Sequence, residues 1–170
     1  NIPGLRVQAA LDKFEAVSTA QRSDEPLPKG RLSARHYRAI HQHLFQDVYA
    51  WAGKFRAVRL SKGGSAFCYP ENIAGELRGL FNDLKRRRYL RGLARDEFAN
   101  QAAHFLATLN AIHPFREGNG RTQMTFLALL ADHAGHPVVL ERIRPQKFLA
   151  VIVASFQGNE RPLIDELRRL

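Results

Sequence analysis

The sequence predicts an all-α fold, a helical bundle around a central helix-loop-helix, with one short β-hairpin. Three observations predict it. Apolar residues recur at helical spacing in successive segments along the chain. The two most apolar of these, ending at Ile112 and beginning at Arg121, flank a short polar stretch rich in glycine. Strand-like alternation is confined to Phe55–Leu60 and the residues after Gly63-Gly64. At 170 residues the chain is long enough for one well-formed core and short for two, so residues 1–170 are read as one domain.

In chain order, Leu5, Ala9, Leu11 and Phe14 predict a short amphipathic helix over residues 5 to 18. Pro26, Pro28 and Gly30 place a loop between Ser23 and Gly30. Ser33 reads as the N-cap of a helix carrying Tyr37, Ile40, Leu44 and Phe45. His36, His41 and His43 lie on it at spacings of five and two, which do not share a helix face; they read as buried and satisfied or solvent-facing, not as metal ligands. Phe55–Leu60 and Ala66–Tyr69 read as two strands round a turn at Ser61-Lys62-Gly63-Gly64-Ser65. Pro70 opens a helix with Ile73, Leu77, Leu80, Phe81 and Leu84. It ends in the basic run Lys85-Arg86-Arg87-Arg88, a solvated helix end near the negative pole of the dipole. Asp96 reads as the cap of a helix whose stripe, Phe98, Ala102, Phe105, Leu106, Leu109 and Ile112, delivers His113 at its C-terminal end. His104 on this helix has no partner nearby in sequence and reads as a packing or surface residue. Arg121 to Ala134 is apolar nearly all round and reads as a buried helix closed by Gly135. Pro145 and Pro162 open two further helices.

Composition sets outer bounds. The formal net charge of +10 favours anionic partners, but a basic surface without a DNA-binding motif does not predict a nucleic-acid module. Cys68 is the single cysteine, which excludes an intrachain disulfide and a thiolate metal cluster. No run approaches the ~20 apolar residues that span a bilayer, so no membrane partner is expected. The chain begins at Asn1 and reads as a piece of a longer protein.

The chemistry concentrates in His113-Pro114-Phe115-Arg116-Glu117-Gly118-Asn119-Gly120-Arg121. Gly118 and Gly120 permit positive φ and close approach, so the N–H groups around Asn119 can converge on an anion. The helix that follows adds its N-terminal amides and dipole, and Arg121 a fork suited to phosphate oxygens. Glu117 would repel bare phosphates unless a divalent cation lay between, which points to Mg²⁺-nucleotide. His113 is the group able to take a proton near neutral pH.

This stretch resembles the signature of Fic domains, His-Pro-Phe-x-(Asp/Glu)-Gly-Asn-Gly-Arg. The resemblance implies an all-α Fic fold and transfer of AMP from Mg-ATP to a Ser, Thr or Tyr hydroxyl of a target protein, releasing pyrophosphate. It implies that His113 is the general base, Phe115 the core anchor of the loop, and Glu117 the Mg²⁺ ligand. Gly118, Asn119 and Gly120 then cradle the α- and β-phosphates, and Arg121 clamps the β- and γ-phosphates. The family pattern usually ends in a second arginine, where this chain has Met124. That loss of charge leaves open another donor, with UMP or phosphocholine transfer, or removal of AMP, or a scaffold that binds without turnover.

The hairpin, with the Trp51-Ala52-Gly53-Lys54 stretch before it, resembles the Fic flap at about residues 55–69. By that likeness Leu60, Ser61, Lys62, Gly63, Gly64, Ser65, Ala66 and Phe67 dock an extended target segment by strand addition. Phe156, Gln157 and Asn159 are candidates for the nucleobase pocket, with core packing an equal alternative for Phe156. The family also implies partners: a bacterial topoisomerase-type or host small-GTPase-type target, and a small antitoxin. The setting is then a toxin in the bacterial cytoplasm or an effector secreted into a host cell. The inhibitory pattern Ser/Thr-x-x-x-Glu-Gly/Asn carried by some Fic proteins is absent from both ends.

Overall fold

The computed structural model describes residues 1–139 and 142–170. Its helices are α1 (Gln8–Ser23), α2 (Ala34–Phe45), α3 (Ile73–Arg86), α4 (Arg95–Ile112), α5 (Asn119–Ala134), α6 (Pro145–Phe156) and α7 (Arg161–Arg169). Between α2 and α3 stands one antiparallel pair, β1 (Ser61–Lys62) and β2 (Ser65–Ala66). No described helix is long and apolar enough to cross a membrane.

α4 is the hub, touching α3, α5, α6 and α7, while α2 bridges α1 and α5. Ala99, Ala102 and Ala103 of α4 are fully buried, small enough for neighbouring backbones to approach, while Leu106 and Leu109 fill the space beyond them. Phe126 of α5 centres an aromatic cluster, with Phe81 at 5.4 Å, Tyr37 at 5.6 Å and Phe105 at 5.8 Å between ring centroids. Edge-to-face geometry against Tyr37 and Phe81 suits the ring quadrupoles, and burying Phe126 alone contributes about 1.5–3 kcal/mol. Ser33 caps α2 as the sequence predicts, accepting from the His36 N–H. Gly135 closes α5 in the left-handed conformation, φ 88°.

Several expectations are corrected. α1 runs from Gln8, and its buried face is polar: Glu15, Ser18 and Thr19 point inward while Phe14 and Val17 are exposed. The cause lies in the site, where Glu15 has partners. Asp96 does not cap α4; Ala94 occupies that position, and Asp96 sits in the first turn, where the dipole favours it, paired with Arg168 at 3.0 Å. Pro70 opens a 3-10 turn, Pro70–Asn72, that leads into α3.

The hairpin differs most. All of its paired residues but Ala66 lie within the segment read as turn, with Ser61 opposite Ala66 and Lys62 opposite Ser65. The true turn is Gly63-Gly64, at φ 57° and 81°, the two positive values a two-residue loop of matching twist requires. Phe55–Leu60 forms no strand: only the Leu60 carbonyl is met across the hairpin, by the Phe67 N–H (3.1 Å), and the segment's other main-chain bond goes to the bundle. The Arg56 N–H donates to the Pro114 carbonyl (2.9 Å), and on the other leg the Cys68 N–H donates to Ala111 (3.0 Å).

Candidate active site

The last turn of α4 ends at Ile112, and His113 caps it in the left-handed conformation, φ 47° and ψ 63°. That conformation costs a non-glycine residue about 1–2 kcal/mol and turns the chain sharply away from the helix axis. The His113 N–H still bonds to the Leu109 carbonyl at 3.1 Å. Phe67, on the flap, stacks on the imidazole at 3.9 Å and 14°, and Phe156 stacks on Phe67 at 5.0 Å. Burial under these rings pushes the His113 pKa down to about 4, with Arg56 and Lys62 pushing the same way and the Asn110 carbonyl opposing. The imidazole is therefore neutral at pH 7 and able to accept a proton. Its Nδ1 is buried without a hydrogen bond of good geometry, leaving Nε2 for an incoming group.

Phe115 anchors the loop as predicted. It is fully buried, stacked on His41 at 3.7 Å between centroids and on Tyr37 at 5.5 Å. Asn119 then closes the loop: its Oδ1 accepts from the Phe115 N–H (3.0 Å) and its Nδ2 donates to the Phe115 carbonyl (2.8 Å). The Asn119 side chain is thus buried structure, and what it presents outward is its main-chain N–H.

Of the two glycines, Gly118 alone takes positive φ, 79°. A Cβ there would lie 2.3 Å from the Phe45 ring, so a side chain would have to displace that ring as well as adopt a strained backbone. Gly120 is helical, and a Cβ on it would meet nothing within 4 Å; its value is open space in front of the backbone. α5 starts at Asn119 without a side-chain cap. The N–H groups of Asn119, Gly120 and Arg121 lie in its first turn and have no acceptor within the helix. Dipole and amides make this end an anion site. Glu117 is exposed at its rim, one carboxylate oxygen accepting from the Gly118 N–H at 3.0 Å.

Arg121, in the first turn of α5, is engaged by α1. Its guanidinium is paired with Glu15 of α1, donates to the Thr19 hydroxyl at 2.9 Å, and sits 4.8 Å over the Phe45 ring. Glu15 also accepts from the Tyr49 hydroxyl. Met124, one turn on, packs partly buried against the core. On the hairpin, Ser61 and Lys62 are exposed, Leu60 accepts from the Phe67 N–H at 3.1 Å, and Gly63, Gly64 and Ala66 complete the tip. Gln157 and Asn159 are exposed, and the Asn159 Oδ1 caps the Arg161 N–H at 3.2 Å. His104 is exposed and meets Glu160 at 3.0 Å, a partner far away in sequence.

Three residues of the site carry no sequence signal. Fully buried His41 accepts from the Gly53 N–H at Nδ1 (2.8 Å), which makes Nε2 the donor to the Glu117 carbonyl (3.0 Å); it fixes the back of the loop. Burial holds its pKa down at about 4. Glu15 and Arg56 are charged residues in segments of mixed polarity, and only the fold buries them.

An aromatic-anchored loop that ends one helix at a neutral imidazole and begins the next with uncapped main-chain amides defines a helical protein with the geometry of an anion cradle. Residues 31–131 match the family model of the Fic/DOC family, and the chain belongs to that family. It is 47% identical over 171 residues to y4lH of Sinorhizobium fredii, named as a probable protein adenylyltransferase, covering 100% of this chain and 88% of that protein. It is 36% identical to the protein adenylyltransferase VbhT of Bartonella schoenbuchensis over 99% of this chain, and spans 36% of that longer protein. Among solved structures, BepC of Bartonella tribocorum with bound AMPPNP superposes at TM-score 0.86 and 26% identity, covering 98% of this chain and 88% of that one. A Fic domain of Bartonella quintana with bound ADP superposes at TM-score 0.88 and 29% identity, covering 99% and 88%.

Proposed function

We propose that this protein transfers AMP from ATP to a hydroxyl side chain of another protein. The observation that carries the reading is the placement of neutral His113 beside the uncapped first turn of α5, with the relatives' adenylyltransferase names and nucleotide-bound structures in support. The phosphates lie against the N–H groups of Asn119, Gly120 and Arg121, where Gly120 leaves room for them. The target hydroxyl oxygen attacks the α-phosphorus as its proton passes to His113 Nε2. The bond from the α-phosphorus to the bridging oxygen breaks, and pyrophosphate leaves. The contribution is positioning plus electrostatic stabilisation from fixed amides.

Glu117 fits a divalent cation: an exposed carboxylate next to the cradle, suited to Mg²⁺ that takes its remaining ligands from phosphates and water. When bound, the cation neutralises phosphate charge. Arg121, paired with Glu15 beside the first turn of α5, is the β- and γ-phosphate clamp of this reading, its guanidinium exchanging Glu15 for phosphate oxygens. The exposed edge of the β1–β2 hairpin receives the target as an added strand, placing its hydroxyl near Phe67 and His113.

The test uses ATP labelled on the α- or the γ-phosphate, with protein extract and Mg²⁺. Label should enter protein from α-labelled ATP alone, and His113→Ala should lose about 10²-fold or more of the rate. Transfer at the wild-type rate by His113→Ala would refute the assignment.

A further inference from the structure

Arg56 is 3% exposed, yet no carboxylate among the described residues pairs with it. Every hydrogen bond its guanidinium makes goes to a main-chain carbonyl: Nε to His113 (2.8 Å), Nη1 to Val58 (2.7 Å), and Nη2 to Cys68 (2.5 Å) and Ile112 (3.3 Å). A guanidinium has five donors, so the site leaves at most one unused. Such burial of a charge is costly, and carbonyl dipoles offset it only where they converge.

The four carbonyls fall into two pairs. Ile112 and His113 end α4, where carbonyls lack helical partners and the dipole is negative. Val58 and Cys68 are the two legs of the flap, one before β1 and one after β2. The backbone repeats the connection, Arg56 N–H to Pro114 and Cys68 N–H to Ala111. Cys68 follows Phe67, the residue stacked on His113. One planar fork thus spans the left-handed residue that carries the base and both legs of the hairpin that would carry the target.

We propose that Arg56 is a positioning residue for the transfer reaction, a clamp that sets the flap at a fixed distance from His113. This rests on the reading above, in which His113 is the base and the flap docks the target. Lysine keeps the charge but has no fork, and so holds either the helix end or the legs.

The experiment is Arg56→Lys followed by NMR and kinetics. In the wild type the Phe67 face shields the carbon-bound protons of the His113 ring, moving them upfield. In Arg56→Lys these resonances should move downfield, kcat should fall about 10²-fold, KM for the target protein should rise, and KM for ATP should stay. Wild-type His113 shifts and target KM, with only Tm lowered, would make Arg56 a fold residue and overturn the proposal. Should Arg56→Lys fail to fold, hydrogen exchange on the wild type decides: the Arg56 Nε–H should exchange in step with the Cys68 and Arg56 amides. Exchange about 10²-fold faster than those amides would show the fork opening by itself and overturn it. The ring shifts need no nucleotide, so failure of the clamp is distinct from failure of the wild type to transfer AMP.

Discussion

Replacing Phe67 by alanine should move the acid limit of the reaction. Phe67 is 7% exposed and covers one face of His113 at 3.9 Å, and burial is the main reason the imidazole pKa is held at about 4 instead of 6.5. In the proposed reaction His113 works in its neutral form, so a depressed pKa would keep transfer going at low pH, and uncovering the ring should raise the pKa and move the acid limb upward. At pH 5.5 a group of pKa about 4 is about 97% neutral, and one returned to about 6.5 is about 9% neutral, a tenfold loss. At pH 7.5 both are more than about 90% neutral. The assay is the ratio of transfer rates at pH 5.5 and 7.5, which cancels any pH-independent loss of target docking, with an NMR titration of His113 alongside. Arg56 and Lys62 stay in place and still press the pKa down, so tenfold is the upper limit. An unchanged ratio with an unchanged titration would refute the argument that the flap controls the base.

Gly118→Ala combines a left-handed alanine with a Cβ 2.3 Å from Phe45; it should cost about 2–4 kcal/mol and lower Tm by roughly 4–16 °C, read by thermal unfolding. His41 is neutral in the fold with a pKa near 4 against 6.5 unfolded, so protons favour the unfolded chain below pH 6.5. Stability should fall by about 3 kcal/mol from pH 6.5 to 4 on this account and level off below; a flat urea midpoint across that window contradicts it. Met124→Arg restores a charge one turn from Arg121 and should raise the preference for ATP over ADP about tenfold in initial rates; an unchanged ratio means that the side chain does not reach the γ-phosphate.

Legibility in the sequence followed the range of the interactions. Helices with a strong apolar stripe, α2 through α5, were readable because 3.6-residue periodicity is local, and the motif was readable because its parts are contiguous. α1 was placed, but its orientation was not, since its inward face answers to Arg121, 106 residues away. The hairpin register escapes the sequence because alternation in Phe55–Leu60 looks like strand pairing, whereas the Arg56 N–H is taken by the Pro114 carbonyl of the loop after α4. Asp96 was misread as a cap for a related reason: an acid near a helix start serves equally in the first turn. Arg56 was invisible because its role needs four carbonyls from three separate segments, and spacing carries no trace of that.

The loop closed by Asn119 also bears on how the protein ages. Asn119 precedes Gly120, a pair in which attack of the following main-chain nitrogen on the side-chain amide is sterically easy and turns asparagine to aspartate. In the folded chain the amide is buried, bonded at both ends to Phe115, and the Gly120 nitrogen is fixed in a helix. Each unfolding releases both constraints. An aspartate formed then would set a carboxylate oxygen against the Phe115 carbonyl, with no N–H left to meet it, and the loop could not close again. Time spent unfolded is therefore recorded at the centre of the site as an irreversible loss, and because refolding is far faster than this chemistry, the working lifetime of the protein follows its equilibrium stability more closely than its unfolding rate.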